Sequence, residues 1–312
     1  MFSDKTKSRY GRQIYRLKKL RVFAAVFFMV FAVIVSVLVL KQVKNGTSNE
    51  RRDLLRVWNA ADFEQAYKIS KNALVEKPVD YFLLTINGFS AYQLGISQIN
   101  NYSMLSYIDE SIRSLRNAML LKDSKSDGRI YYVLGKAYSY KGAEYADLAV
   151  KFLEMADNLS YGAQDIPEYL GLAYAACGDY RSSVAAFSQA FAPEKIPSDN
   201  LLLSIARSYI AMEEYNMALG YLLRCVEDSP DSKSVIIARF LLADVYRISG
   251  DYDSSEKQYL SILNDSGESA EVRYQLGELY NLKGDTTRAR AEWRMANRQD
   301  PAHAKARARL NI

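Results

Sequence analysis

The chain contains few residues of the types that perform catalysis or bind metals. Its 312 residues include one histidine, His303, and two cysteines, Cys177 and Cys225. One imidazole is too few for most zinc sites and for most histidine-based acid–base mechanisms. Two thiols are too few for a disulfide scaffold or a cysteine–zinc cluster. The composition therefore argues against an enzyme that depends on these groups.

The surroundings of these three side chains predict inert roles. His303 lies among alanines and arginines, which predicts a solvated surface side chain. Cys225 occupies a small position in a helical pattern, where a buried and unreactive thiol is expected. Cys177 lies at the end of another helical segment, and the sequence leaves open whether the two cysteines pair.

Two short segments approach the pattern of a known site without completing it. Asp123–Gly128 resembles a calcium loop, but Lys125 occupies a ligand position and Leu134 takes the place of the bidentate glutamate. We interpret it as a turn between repeats. Gly88–Tyr92 lacks the last glycine of a nucleophile elbow, and no phosphate-binding loop motif occurs. The sequence predicts no catalytic residue, cofactor, metal site or small-molecule substrate.

The overall composition is that of a helical globular chain. Hydrophobic residues make up 49% of it and charged residues 25%, which excludes disorder over most of the length. The chain has only 6 prolines and 15 glycines, and this argues against a loop-rich or all-β structure. Its length allows one large domain or two small ones.

The excess positive charge is concentrated at the N-terminus. Residues 1–21 hold eight basic residues and one acidic residue, Asp4. The whole chain has 41 basic and 36 acidic residues, so residues 22–312 contain 33 basic and 35 acidic ones. A nearly neutral body lacks the basic face of a nucleic-acid-binding domain. No nucleic-acid partner is expected.

An uncharged run of 19 residues, Val22–Leu40, follows this basic tail. As a helix it would span roughly 28 Å, close to the thickness of a bilayer's hydrocarbon core. One alternative is a buried core helix, but such helices seldom run this long without a polar residue. The other is a cleaved signal peptide, which is typically shorter and ends in small residues. We expect a single transmembrane helix over residues 22–40 that acts as a signal anchor.

The charges that flank this run predict its orientation. Eight basic residues precede it, and four follow closely, namely Lys41, Lys44, Arg51 and Arg52. The positive-inside rule then places the tail of residues 1–21 in the cytoplasm. The body is expected on the extracytoplasmic side of the cell membrane, in the periplasm if the host is bacterial. Residues 41–50 are expected to form a linker.

The body repeats a helical pattern with a period of about 35 residues. An aliphatic residue, a small residue and a tyrosine recur in Leu134-Gly135-x-x-Tyr138, Leu170-Gly171-x-x-Tyr174, Ile205-Ala206-x-x-Tyr209, Leu242-Ala243-x-x-Tyr246 and Leu276-Gly277-x-x-Tyr280. Seven residues after each small residue comes a turn position: Gly142, Gly178, Glu213, Gly250 and Gly284. A second helix then places a large residue between two small ones, as in Ala149, Leu153 and Ala156. This predicts stacked pairs of helices.

The pattern resembles the tetratricopeptide repeat (TPR), a unit of about 34 residues with Leu-Gly-x-x-Tyr on one helix and Ala-x-x-x-Phe on the next. The resemblance implies an all-α, right-handed helical-repeat solenoid. Five clear units and about two degenerate ones place the solenoid at residues 51–301. One degenerate unit needs an insertion of about eleven residues around Ser97–Tyr107, which we expect to be an elaborated loop. Residues 302–312 are expected to form a capping helix.

In TPR proteins the first helices of successive units line a concave groove that binds peptides or protein segments. The resemblance therefore implies a protein-binding groove at Tyr132, Lys136, Tyr140, Glu168, Arg207, Phe240, Asp244, Arg247, Tyr274 and Glu278. Leu172, Leu203 and Ile210 occupy further positions of the same kind. The alternative for the aromatic members is packing between adjacent first helices.

The expected function is a membrane-anchored scaffold that binds a protein or peptide partner at the cell envelope, in secretion, chaperoning or envelope-complex assembly. The alternative is a structural spacer, or a self-associating subunit of a membrane complex, with no peptide ligand. An enzyme with an unrecognised site is a third class, and the scarcity of histidine disfavours it.

Overall fold

The computed structural model describes residues 49–121, 127–191 and 197–311. The predicted cytoplasmic tail (1–21), transmembrane helix (22–40) and linker up to residue 48 lie outside the described residues, as does most of the calcium-like segment. Within the described ranges, no helix combines the length and the apolar character needed to cross a membrane.

The described residues form helices joined by short turns, and they divide into two compact units at Gly162/Ala163. The first unit contains α1 (Asn49–Asn59), α2 (Phe63–Glu76), α3 (Tyr81–Ile96), α4 (Asn101–Met119), α5 (Gly128–Lys141), a 3₁₀ turn (Ala143–Tyr145) and α6 (Ala146–Asn158). The second contains α7 (Ile166–Ala176), α8 (Tyr180–Ala190), α9 (Asp199–Ala211), α10 (Tyr215–Asp228), α11 (Ser232–Ile248), α12 (Tyr252–Ser266), α13 (Ala270–Leu282), α14 (Thr286–Gln299) and α15 (Ala304–Leu310).

Consecutive helices pack as pairs, in the order that the sequence predicts. The pairs are α1/α2, α3/α4, α5/α6, α7/α8, α9/α10, α11/α12 and α13/α14, and α15 packs on α14. The last five pairs are the five clear repeats, and the first two are the degenerate ones. The predicted all-α repeat architecture is confirmed for the residues that the structure describes.

The turn inside each clear repeat depends on one residue with a left-handed backbone. The five predicted turn positions all have positive φ, from +61° at Glu213 to +104° at Gly142. Glycine adopts this conformation without a steric penalty, whereas Glu213 does not. In three repeats the next residue is an aspartate, such as Asp285, that caps the second helix by accepting a backbone N–H. Each Gly-Asp pair therefore ends one helix and begins the next.

The two helices of each pair cross at the point where a small residue of the first helix contacts a large residue of the second. We call the small residue the crossing residue. A Cβ atom added at Gly135 would lie 2.5 Å from Leu153, and one at Gly171 or Gly277 would lie 2.5 Å from Phe187 or Trp293. The large residues are themselves buried. The crossing therefore has no room for a larger side chain.

The segment Ser97–Tyr107 is not the elaborated loop that the sequence analysis expects. The turn after α3 is short, and α4 begins at Asn101, so the extra residues lengthen a helix. The side chain of Asn100 accepts hydrogen bonds from the backbone N–H groups of Tyr102 and Ser103, which starts the helix early. Tyr107 then packs edge-on against Tyr67 of α2, at 5.5 Å between ring centroids.

The two cysteines both lie in the described residues, and no disulfide joins them. Cys225 is fully buried in the core between α10 and α11. Burial raises the pKa of its thiol to about 11, so the thiolate is scarce at neutral pH. The prediction of a buried, unreactive thiol at Cys225 is confirmed. Cys177 is exposed at the end of α7.

We predict that Gly277→Ala destabilises the second unit by ~1–3 kcal/mol, because the new methyl group overpacks the crossing against Trp293. The matched control is Gly220→Ala in α10, where no atom lies within 4 Å of an added Cβ. That change should stabilise by about 0.5–1 kcal/mol through helix propensity alone. Urea unfolding of both variants checks this. Equal effects of the two substitutions would contradict the crossing geometry.

Candidate protein-binding surface

Most of the predicted groove positions repeat relative to the crossing residue. One set lies three residues before it and another lies one residue after it, so the two sets are four residues apart and share a helix face. We call this surface the first-helix face. Tyr140, Ile210 and Arg247 lie four or five residues after the crossing residue. In the second unit the first helices α7, α9 and α11 contact one another in turn, so their faces are adjacent.

The position after the crossing residue is the more exposed of the two. In the second unit it is occupied by Leu172, Arg207, Asp244 and Glu278. Leu172 is 43% exposed, and Arg207 is exposed and forms no ion pair with any residue in the described ranges. Asp244 and Glu278 are half-buried. This position supplies the side chains that a ligand could reach.

The position before the crossing residue is largely taken up by packing. Leu203 is 3% exposed and Tyr274 is 9% exposed. Phe240 is half-buried and meets Tyr259 edge-on, with ring centroids 5.8 Å apart. At these positions the side chains belong to the core, which is the alternative that the sequence left open for the aromatic residues.

The capping helix α15 covers the end of the predicted groove. The rings of His303 and Tyr274 lie 5.2 Å apart, and the Arg309 guanidinium binds the Glu278 carboxylate with two nitrogens. The expectation that Tyr274 and Glu278 line an open groove is therefore corrected. Both side chains are occupied in holding α15 against α13.

His303 is likewise not the solvated side chain that its neighbours in sequence suggest. Its Nδ1 accepts the backbone N–H of Ala306 at 3.1 Å, and its Nε2 lies 3.1 Å from a carboxylate oxygen of Glu271. A helix of seven residues is too short to be stable alone. The imidazole therefore acts as an N-cap that also ties α15 to α13.

Asp244 and Arg247 form a polar cluster with the buried phenol of Tyr259. The Tyr259 hydroxyl donates to Asp244 Oδ1 at 3.0 Å, and Arg247 donates to the same oxygen at 3.1 Å. Burial and the Asp244 carboxylate raise the pKa of Tyr259. The Nε of Arg247 is buried and has no hydrogen-bond partner, so a ligand cannot reach it directly. The cluster therefore fixes the Asp244 carboxylate and the Arg247 guanidinium next to the first-helix face.

The predicted residues of the first unit lie among tyrosines. Lys136 donates to the Tyr132 hydroxyl at 3.0 Å and stands 5.0 Å from the centre of its ring. The Tyr132 ring in turn lies 5.1 Å from that of Tyr161. Tyr140 meets Tyr92 edge-on at 6.3 Å. All three predicted residues are half-buried, so this part of the face is preorganised and only partly accessible.

Glu168 has a structural explanation within its own helix. It lies in the first turn of α7 and is half-buried. A carboxylate at this place is stabilised by the unpaired N–H groups and the dipole of the helix N-terminus. The structure therefore gives Glu168 a role that requires no ligand.

Sequence reasoning did not find the ion pairs that join successive repeats. Lys283 at the end of α13 donates to Asp253 at 2.7 Å and to Glu256 at 2.8 Å, both on α12. Within its own helix pair, Arg273 of α13 also contacts Glu292 of α14 at 3.0 Å. Lys283 and its partners are 27 and 30 residues apart, beyond the reach of helical spacing rules. These charges are used within the fold, whereas Arg207 forms no ion pair with any described residue.

The sequence matches no protein-family model and is similar to no curated protein. The fold does match solved structures. The C-terminal part of a TPR repeat-containing protein from Cytophaga hutchinsonii superposes with a TM-score of 0.60 at 15% identity, over 84% of this chain and 99% of that chain. PilW, a type IV pilus biogenesis factor, superposes with a TM-score of 0.56 at 15% identity, over 72% of this chain and 98% of that chain.

A third match is YrrB, described as a TPR protein with an unusual peptide-binding site. Its TM-score is 0.50 at 20% identity, over 64% of this chain and 100% of that chain. At these identities the likeness establishes the fold. The chain has the all-α, TPR-like helical-repeat fold that the spacing of its glycines and tyrosines predicts.

We predict that Lys283→Met lowers the free energy of unfolding by about 1 kcal/mol at pH 7. Burial alone would raise the pKa of Glu256, but its bonds from Lys283 and Tyr280 outweigh this and lower it. A lowered pKa gives stability that is present above the unfolded-state value and is lost as the pH falls through the folded-state value. The cost of the substitution should therefore shrink as the pH falls below the ordinary glutamate pKa of about 4.3.

Urea unfolding at pH 7 and pH 3 measures this difference. Lys233→Met is the matched control, because Lys233 is exposed and its ammonium group makes no bond to a carboxylate of the described chain. The control substitution should change the free energy of unfolding little at either pH. A cost for Lys283→Met that does not depend on pH would show that Glu256 gains nothing from this lysine.

Proposed function

We propose that the chain is a membrane-anchored scaffold that binds a protein segment on the first-helix face of its second unit. The observation that carries this proposal is the exposure of Leu172 and Arg207. They occupy equivalent positions on the adjacent helices α7 and α9, where packing does not require either side chain. Neither side chain is buried in the core, and Arg207 forms no ion pair with any residue in the described ranges.

The neighbouring cluster on α11 adds polar groups of both signs. Asp244 and Arg247 are half-buried and place a carboxylate and a guanidinium next to this face. A surface with one apolar anchor and mixed charges favours an amphipathic segment over a strongly charged one. We infer that the ligand is a short amphipathic stretch of a protein, with the apolar contact at Leu172 and an acidic group at Arg207.

The proposal includes anchoring through residues 22–40 and an extracytoplasmic body. It is supported by the uncharged run of 19 residues and by the basic excess that precedes it. Tethering confines the scaffold to the membrane surface and raises its effective concentration near other envelope proteins. Modest affinity at the first-helix face then suffices for function in envelope assembly or secretion.

We expect Leu172→Ser combined with Arg207→Glu to reduce recovery of the partner at least tenfold when the full-length chain is purified from its native membrane after cross-linking. The matched control is Met217→Ser with Arg181→Glu on the second helices. Met217 is 48% exposed, and Arg181 is exposed. Both pairs change surface residues, so native melting is expected for each.

If the two double variants recover the same partners equally, the first-helix face of the second unit is not the binding surface. Recovery of this chain alone, by the wild type and by both variants, would instead support a self-associating spacer without a protein ligand. Wild-type recovery of a distinct protein, lost only in the first pair, supports the proposal.

The topology is tested separately with a fusion of alkaline phosphatase after Ile312 in a bacterial host. The enzyme is active only outside the cytoplasm, so we expect activity from the membrane fraction. A green fluorescent protein fused at the same point should stay dark after export through the general secretion pathway. An inactive phosphatase with a bright fluorescent fusion would place the body in the cytoplasm.

A further inference from the structure

Charge is unevenly distributed within the second unit. Residues 163–285 contain ten basic and nineteen acidic side chains, whereas residues 286–312 contain seven basic and two acidic ones. Residues 163–285 therefore carry a net charge of −9 and residues 286–312 a net charge of +5, so the C-terminal end is positive although the unit as a whole is negative. The positive end corresponds to α14 and α15.

Three arginines of α14 are not used by the fold. Arg290, Arg294 and Arg298 form no ion pair with any residue in the described ranges, whereas their neighbour Arg288 binds Asp285 at 2.6 Å. They follow one another at intervals of four, and like charges at this spacing destabilise a helix by about 0.2–0.5 kcal/mol per pair. The stability of α14 therefore does not explain them.

Two of these arginines, Arg290 and Arg294, line a pocket at the end of the repeat stack. On α14 the residues Ala289, Trp293 and Ala296 face the core. At about 100° per residue, Arg290 and Arg294 occupy the adjacent flank. A surface pocket of about 540 Å³ opens there, lined by Asn281, Thr286, Thr287, Arg290, Trp293 and Arg294. We call it the arginine pocket.

The far wall of the arginine pocket is held in place by α15. Arg309 also lines it. The Arg309 guanidinium stands 5.5 Å from the centre of the Trp293 ring, and its bond to Glu278 fixes it there. The pocket thus combines free guanidinium groups, two threonine hydroxyls and an amide with the edge of a buried indole.

We propose that the arginine pocket binds a short acidic segment of a partner protein. Guanidinium groups bind carboxylates with two parallel hydrogen bonds, and hydroxyl and amide groups can complete the coordination of the oxygens. The two unpaired arginines that line the pocket, Arg290 and Arg294, extend over about 6 Å of helix, which corresponds to about two residues of an extended chain. The segment therefore carries two or three aspartates or glutamates close together in sequence.

The charge of the surrounding unit favours a short acidic peptide over a nucleic acid. A polynucleotide would continue past the pocket onto a body with nineteen acidic and ten basic side chains, where its phosphates would be repelled. A short segment ends before that. The inference rests on the proposed function as a protein-binding scaffold, but the arginine pocket lies on α14 and α15, away from Leu172 and Arg207.

The test is a fluorescence anisotropy titration of the full-length chain in detergent, at low ionic strength. The probe is a labelled hexapeptide, Asp-Glu-Asp-Glu-Asp-Glu. We expect Arg290→Gln combined with Arg294→Gln to weaken binding about tenfold or more. Arg181→Gln with Lys233→Gln removes the same charge at two other exposed sites and should change the affinity less than twofold. Thermal melts of both variants check their folding.

Equal loss of affinity in the two double variants would show a general charge effect and overturn the proposal. So would tighter binding of a deoxythymidine dodecamer than of the hexapeptide. Neither result affects the partner recovery that depends on Leu172 and Arg207, because those residues are unchanged here. Failure of the arginine pocket and failure of the first-helix face are therefore distinguishable.

Discussion

The fold depends on the close approach of two helix backbones at each crossing residue. At Gly135, Gly171 and Gly277 an added Cβ atom would lie 2.5 Å from a large side chain of the second helix. The same large side chains, Leu153, Phe187 and Trp293, are buried, so small and large residues fill one another's space. A helix pair of this kind cannot bury both of its faces, and stacking on the next pair follows. The position of every first helix, and of the side chains it presents, is set by these contacts.

The charged residues differ in whether they form ion pairs within the fold. Some link one repeat to the next, as Lys283 does with Glu256, or hold the capping helix, as Arg309 does with Glu278. Others form no ion pair within the described chain, among them Arg207 on a first helix and Arg290, Arg294 and Arg298 on α14. The position of Arg207 on the first-helix face, and of Arg290 and Arg294 in the lining of the arginine pocket, makes these three the candidates for binding a partner.

Most of the fold is predictable from residues that lie close together in the sequence. The crossing glycines, the turn residues and the Gly-Asp caps lie within one repeat, so their spacing alone predicts five helix pairs and places Cys225 in the core. The helical extension of α4 is not predicted, because the repeat pattern requires an insertion there and an insertion between helices is expected to be a loop. Contacts between distant residues were not predictable. The bonds of His303 and Arg309 to α13 span more than 30 residues, and they turn Tyr274 and Glu278 from expected groove residues into supports for the cap.

The central claim is that the first-helix face of the second unit binds a protein, and site-specific photo-cross-linking tests it most directly. A benzophenone side chain replaces Arg207 in one variant of the full-length chain and Met217 in another, and both are irradiated in the native membrane. Both positions are exposed, but Arg207 lies on the first-helix face and Met217 on a second helix. We expect a discrete adduct with another protein from position 207 and none from position 217. The same adducts from both positions, or an adduct from position 217 alone, would contradict it.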